Sequence, residues 1–161
     1  VARRAQAFGM KVVAYDPYVK AETAAELDVE LLPMNEVLAA ADVITLHAIV
    51  TPETKGMINA DTIATMKDGV IIVNVARGKL IDEQALADAL KSGKVAAAGI
   101  DVYQEEPPTN SPLIGLPNVV HTPHLGASTQ EAQKNVGIEM VEQIADGLRG
   151  VAWRNVLNTV N

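Results

Sequence analysis

Short apolar runs rich in Val, Ile and Ala alternate along the chain with stretches in which apolar residues return every three or four positions. The runs lie at 11–15, 42–46, 70–73, 95–102 and 118–122. Their length and β-branched character predict buried strands. The periodic stretches at 21–27, 35–40, 61–66 and 83–91 predict helices, and 1–8 reads as the end of another, closed by Gly9. Asp82 stands where an N-cap would begin the 83–91 helix and Gly93 just past its end. The last helix carries Ser128 and Glu131 at capping-box spacing. Ala132, Val136, Met140, Ile144 and Leu148 then form one apolar stripe before Gly150.

Strands that alternate with helices and are apolar on both faces predict an α/β fold, a doubly wound and mainly parallel sheet. Residues 1–150 form one domain in this reading, and 151–161 a crossover segment leaving it. The Pro/Asn-rich piece 107–117 is a surface loop, because a strand and a helix of the same style follow it. The chain opens at Val1-Ala2-Arg3-Arg4, already in a helical pattern, so a preceding strand and its glycine loop are expected to be missing.

Composition narrows the possible partners. With 13 Lys+Arg against 20 Asp+Glu in 161 residues the formal charge is −7, which argues against nucleic acid or an anionic membrane as the main partner. No cysteine is present, so neither a disulfide framework nor a thiolate nucleophile is available, and no metal site is expected. No signal peptide and no apolar run of membrane-spanning length is seen, which makes a cytoplasmic setting the expectation.

In a parallel sheet ligands bind beyond the carboxyl ends of the strands, so the residue after each run is where chemistry is sought. Arg77 follows the third run and can clamp a carboxylate through paired, charge-assisted hydrogen bonds. Asp101 lies at the end of the fourth, and a carboxylate at the end of an apolar strand needs hydrogen-bond partners or a ligand. Glu105 and Glu106 stand in the next turn before Pro107. His124 follows the fifth run and is the natural proton carrier near neutral pH, with His47 and His121 as competitors. Asp16 ends the first run, as does the acidic residue that holds the adenosine ribose in dinucleotide-binding folds.

Four segments in order carry a family resemblance. They are Phe8-Gly9-Met10 through Tyr15-Asp16-Pro17, Asn74-Val75-Ala76-Arg77-Gly78 through Ile81-Asp82, Gly99-Ile100-Asp101-Val102-Tyr103 through Glu106-Pro107, and Pro123-His124-Leu125-Gly126-Ala127-Ser128-Thr129 with Glu131-Ala132. On these the chain resembles the D-isomer-specific 2-hydroxy acid dehydrogenases. The resemblance implies a Rossmann-like NAD-binding domain, truncated at its first strand and glycine loop, and NAD as cofactor. It also implies oxidation of a small 2-hydroxy acid, with 3-phospho-D-glycerate the expected substrate. Arg77 would hold the substrate carboxylate, His124 would take the hydroxyl proton and Glu106 would pair with His124. Asp101 would meet the nicotinamide carboxamide, Asp16 with Pro17 and His47 would flank the adenosine half, and main chain at Ala76 and Gly126 would line the nicotinamide pocket. A homo-oligomer is implied as well, and the fragment by itself is expected to be inactive. The segment His47-Ala48-Ile49-Val50 departs from the family by lacking its usual Pro. A non-catalytic, dinucleotide-sensing binding protein on the same scaffold is the alternative.

Overall fold

The computed structural model describes residues 1–156. The chain divides into two compact units, the first Val1–His121 and the second starting at Thr122. The first unit holds helix α1 (Ala2–Ala7), strand β1 (Val13–Ala14), α2 (Ala21–Ala25), β2 (Glu30–Leu31), α3 (Met34–Ala40), β3 (Val43–Leu46), α4 (Ala60–Thr65), β4 (Val70–Asn74), α5 (Glu83–Ser92), β5 (Val95–Ile100) and β6 (Val119–His121). The second holds α6 (Gln130–Leu148).

Every ladder is parallel. Strands β3, β4, β5 and β6 pair in that order, and β1 pairs with β2 in a separate two-stranded sheet. Both belong to the expected α/β design, but the sheet is not continuous among the described residues. The β1–β2 ladder is only two residue pairs long, because Asp16-Pro17 stops the first strand and β2 contributes Glu30 and Leu31 alone. The strand β2 was not foreseen; two residues, one of them charged, give no periodic signal.

Burial alternates along β4: Val70, Ile72 and Asn74 are buried while Ile71 is exposed. The buried face packs with Ile44, Leu46, Ala98, Ile100 and Val119 of the neighbouring strands, under Leu38 of α3, Ile63 of α4 and Leu86, Ala87 and Leu90 of α5. Val43, Ile71 and Val120 on the other face stay exposed, so among the described residues the helices cover one face of this ladder rather than both.

Caps fix where the helices start. Asp82 Oδ1 accepts from the N–H groups of Gln84 and Ala85, and Gly93 closes α5 at φ 81°, a conformation open to glycine at no steric cost. Asn59 and Thr62 form a capping box on α4 that the sequence reading missed. The box expected from Ser128 and Glu131 does not form. Thr129 takes the cap position, accepting from Ala132 N–H at 3.1 Å, and the residue three places on is Ala132, whose methyl cannot reach back. The apolar stripe of α6 is present, yet Val136, Met140, Ile144 and Leu148 are all exposed. Trp153 lies against Gly147, where a Cβ would overlap its ring. Residues 157–161 of the expected crossover lie outside the described residues.

Replacing Leu86, which is fully buried on α5, by Ala is expected to lower stability by about 2–5 kcal/mol. The same truncation at exposed Val120 should cost no more than about 0.5 kcal/mol. Urea unfolding of the two variants checks the difference; equal losses would contradict the core described here.

Candidate active site at the carboxyl edge of the sheet

Strand β4 ends in Asn74, a polar residue in line with Val70 and Ile72 on the covered face and only 1% exposed. Its side chain turns back on the chain that follows. Oδ1 accepts from Ala76 N–H at 3.1 Å, and Nδ2 donates to the Arg77 carbonyl at 3.0 Å. The turn carrying Arg77 is therefore closed from inside by a buried carboxamide. Arg77 itself has an extended backbone and an exposed side chain, with Nη1 donating to the Ala76 carbonyl at 2.6 Å.

Gly78, next in the chain, is held against the loop that follows β5. A Cβ there would overlap the Tyr103 carbonyl and the Gln104 nitrogen, backbone atoms that cannot swing aside. Only glycine permits this approach, and it brings the Arg77 turn to the loop bearing Asp101 and Glu106. Asp101, 6% exposed, donates its N–H to the Asn74 carbonyl at 3.0 Å. Glu106 Oε1 accepts from Tyr103 N–H at 3.1 Å. The Glu106–Pro107 peptide bond is cis.

The β5 loop has its own buried anchor. Glu83, in the first turn of α5, is 9% exposed; Oε1 accepts from Gln104 N–H at 2.7 Å and Oε2 from the Ser111 hydroxyl. Gln104 Nε2 donates to the Ile81 carbonyl at 2.7 Å. The carboxylate thus holds both sides of the loop that contains Glu106. Tyr103, in the same loop, shares a 2.7 Å hydrogen bond with His121 Nδ1 at the end of β6, the two rings stacked 6.2 Å apart. Burial first, and then the negative charge of Glu83, Asp101 and Glu106, pushes the Tyr103 phenol above its usual 10.0.

Of the residues singled out in the sequence, Ala76, Arg77, Asp101 and Glu106 thus fall in one connected set of contacts. Asp16 lies beyond β1, in the other sheet. Its Oδ1 accepts from Tyr18 and Val19 N–H at 2.8 and 3.1 Å, which fixes the carboxylate and leaves Oδ2 for a hydroxyl pair. Pro17 beside it is exposed. His47, past the end of β3, is exposed, with Nε2 3.1 Å from Thr45 Oγ1. His124 and Gly126 belong to the second unit. His124 adopts φ 55°, a left-handed backbone that costs a non-glycine residue on the order of 1–3 kcal/mol and is found disproportionately at functional sites. A Cβ on Gly126 would meet nothing within 4 Å, so packing does not require glycine there.

These acceptors suit a dinucleotide: a carboxylate fixed by an Asx turn for ribose hydroxyls, and a buried carboxylate, Asp101, at a strand end for an amide. Asn74 and Glu83 were missed by the sequence reading. The available signals were an Asn closing an apolar run and a Glu directly after a capping Asp, and both patterns are common on solvated surfaces.

Residues 1–126 match the family model described as D-isomer specific 2-hydroxyacid dehydrogenase, NAD binding domain. The chain belongs to this family, an oxidoreductase family whose members bind NAD through this domain. Among its relatives is a D-3-phosphoglycerate dehydrogenase of Methanocaldococcus jannaschii, 52% identical over 100% of this chain and 31% of that protein. Another is a hydroxypyruvate reductase of Thermotoga maritima, 55% identical over 89% of this chain and 47% of that protein. Among solved structures, the D-lactate dehydrogenase TP0037 of Treponema pallidum matches with a TM-score of 0.88 at 35% identity, covering 98% of this chain and 51% of that one. A D-lactate dehydrogenase of Aquifex aeolicus, solved with NAD and lactic acid, matches at 0.83 and 35% identity over 94% of this chain and 50% of that one. The chain spans about a third of the length of the phosphoglycerate dehydrogenases it matches. Among the described residues no helix is long and apolar enough to cross a membrane.

The raised Tyr103 phenol sets a pH dependence. The unfolded chain ionises this group near 10.0 while the folded one resists, so its contribution is complete below that pH and is lost as pH rises through the folded value. The stability difference between wild type and Tyr103→Phe should be flat from pH 7 to 9 and shrink above 10. Thermal melts across that range check it; a difference that grows with alkali would contradict the assignment.

Proposed function

We propose that the protein containing this chain interconverts a D-2-hydroxy acid and its 2-oxo acid with NAD, that 3-phospho-D-glycerate is the hydroxy acid, and that Arg77, Glu106 and His124 are its catalytic residues. Residues 1–150 contribute the cofactor domain in this reading, and 151–161 lead towards a substrate domain. The working protein is a homo-oligomer.

The observation that carries the reading is the position of Arg77. It projects from the carboxyl end of β4, in a turn packed by Gly78 on the loop that holds Asp101 and Glu106. A guanidinium at that edge can take a carboxylate through two parallel N–H donors, fixing the C2 carbon and its hydroxyl in one orientation. NAD, when bound, supplies the acceptor for the hydride that leaves C2. His124 takes the hydroxyl proton as the C2–O bond becomes a carbonyl, and returns it in the reverse direction. The role read for Glu106 is to steady the charged imidazole with its carboxylate. Asp101 would hold the carboxamide end of the cofactor, and main chain at Ala76 and at Gly126 would each contribute to the nicotinamide pocket. Asp16, with Pro17 next to it in the chain and His47 past the end of β3, would serve the ribose end and disfavour a phosphate on it.

Support for the phosphorylated substrate comes from relatives named D-3-phosphoglycerate dehydrogenase at 46–55% identity. The hydroxypyruvate reductase at 55% identity favours the second reading, an unphosphorylated acid on the same machinery. NADH formation by the full-length protein, with 3-phospho-D-glycerate, D-glycerate and D-lactate in turn, separates the two. Turnover led by the phosphorylated acid is expected. Faster turnover of D-glycerate or D-lactate would move the assignment to the second reading, and NADH binding without turnover of any 2-hydroxy acid would overturn both.

In the same protein His124→Ala should lower kcat by about 10²–10⁴-fold, the range for a positioned acid–base group. Arg77→Ala should raise the KM for the acid by about 10- to 150-fold, the loss of a charged hydrogen-bonded pair. Both should leave NADH binding, followed by fluorescence titration, close to wild type. Near-normal kcat in His124→Ala, or near-normal KM in Arg77→Ala, would remove that residue from the catalytic set.

A further inference from the structure

The sequence and the family reading place the chemistry on charged residues, yet the group that shapes the Arg77 turn is neutral and buried. We propose that Asn74 is a positioning residue for Arg77; this rests on the reading of Arg77 as the substrate-carboxylate ligand. A buried amide has to find partners. Asn74 finds them in the turn itself: its Oδ1 accepts from the Ala76 N–H and its Nδ2 donates to the Arg77 carbonyl.

The chemistry fixes its orientation. The oxygen has to face the N–H and the nitrogen the carbonyl; the reverse would set donor against donor and acceptor against acceptor. A residue that offers a single kind of atom cannot make both bonds. Leu or Val would continue the apolar face of β4 but leave two peptide groups of the turn unpaired. Asp would keep the Ala76 bond and set a carboxylate oxygen against the Arg77 carbonyl. Asn74 also joins the turn to the next strand, since its main-chain carbonyl accepts from Asp101 N–H. From the other side Gly78 meets the Tyr103–Gln104 backbone. Between these two contacts the Arg77 backbone is held extended, at φ −148° and ψ 134°, which sets the point and direction from which its side chain leaves the turn before any acid arrives.

The test uses the full-length protein with Asn74→Asp and Asn74→Ala. KM and kcat are measured on the 2-hydroxy acid that wild type turns over best, along with NADH affinity. The expected result is a KM for the acid raised about 10- to 100-fold, as for a misaimed ligand, with NADH affinity within about twofold of wild type. A loss of folded protein would instead lower apparent kcat and leave KM alone. In an Arg77→Ala background, Asn74→Asp should change KM by less than about twofold, because its effect runs through the missing guanidinium. Wild-type KM in a folded Asn74→Asp, or full additivity with Arg77→Ala, would overturn the proposal. Should Arg77→Ala itself leave KM unchanged, the reading of Arg77 fails, a result distinct from failure at Asn74 alone. Wild-type hydrogen exchange gives a check that needs no variant. The Ala76 amide lies beyond the ladder and should be protected at least about 100-fold by its Asn74 bond; exchange at the unstructured rate would overturn the proposal whether or not the variants fold.

Discussion

Parallel pairing obliges each strand of the β3–β4–β5–β6 ladder to end on the same edge, and the chain to cross back before the next begins. The other features of the first unit follow from this. Helices α4 and α5 make the return crossings from β3 to β4 and from β4 to β5, residues 101–118 return to β6 as a loop, and α3, α4 and α5 cover the buried side of the ladder with Leu38, Ile63, Leu86 and Leu90. The common edge collects the turns after β4 and β5, and those turns carry Arg77, Asp101 and Glu106. Antiparallel hairpins of the same composition would have scattered these residues to opposite ends.

An edge of loops is not yet a site, because loops carry peptide groups that prefer water. Here buried polar side chains satisfy them. Asn74 binds both peptide groups around Arg77, and Glu83 binds the Gln104 amide and the Ser111 hydroxyl on the loop of Glu106. Each partner bond contributes about 0.5–1.5 kcal/mol, more where a carboxylate is involved, but leaving one partner buried and unmet costs more than the bond gains. The two anchors therefore make the loops stiff as well as stable. Gly78 lets the anchored loops touch, and the Tyr103–His121 hydrogen bond extends the connection to the end of β6.

The strands and helices with strong periodicity were legible in the sequence: 70–73 and 83–91 agree with β4 and α5 within a residue, and Asp82 and Gly93 cap as expected. Patterns failed where geometry decides among neighbours. Ser128 and Thr129 are both good caps, and only the backbone shows that Thr129 is the one used. The exposure of Val43, Ile71 and Val120 was hidden because apolar residues on two faces look alike whether or not something covers both. At the site, charged residues after strands could be picked out by position, but a buried Asn or Glu is recognised only from what its side chain touches. Arg77 and Glu106 were therefore foreseeable, while Asn74 and Glu83, which hold their loops, were not.

In the proposed function the carboxyl edge is a carboxylate clamp beside a dinucleotide site, with the guanidinium fork of Arg77 at its centre. The substitution that probes the fork alone is Arg77→Lys, which keeps the charge and removes the paired planar donors. The most direct measurement is the affinity of the NADH-loaded, full-length protein for oxamate, a carboxylate-bearing analogue of a 2-oxo acid, in wild type and in Arg77→Lys. Oxamate is expected to bind at least about 10-fold more weakly to the variant while NADH binds equally well, a loss of the size expected for one charged hydrogen bond. Equal oxamate affinity in the two proteins would contradict the clamp.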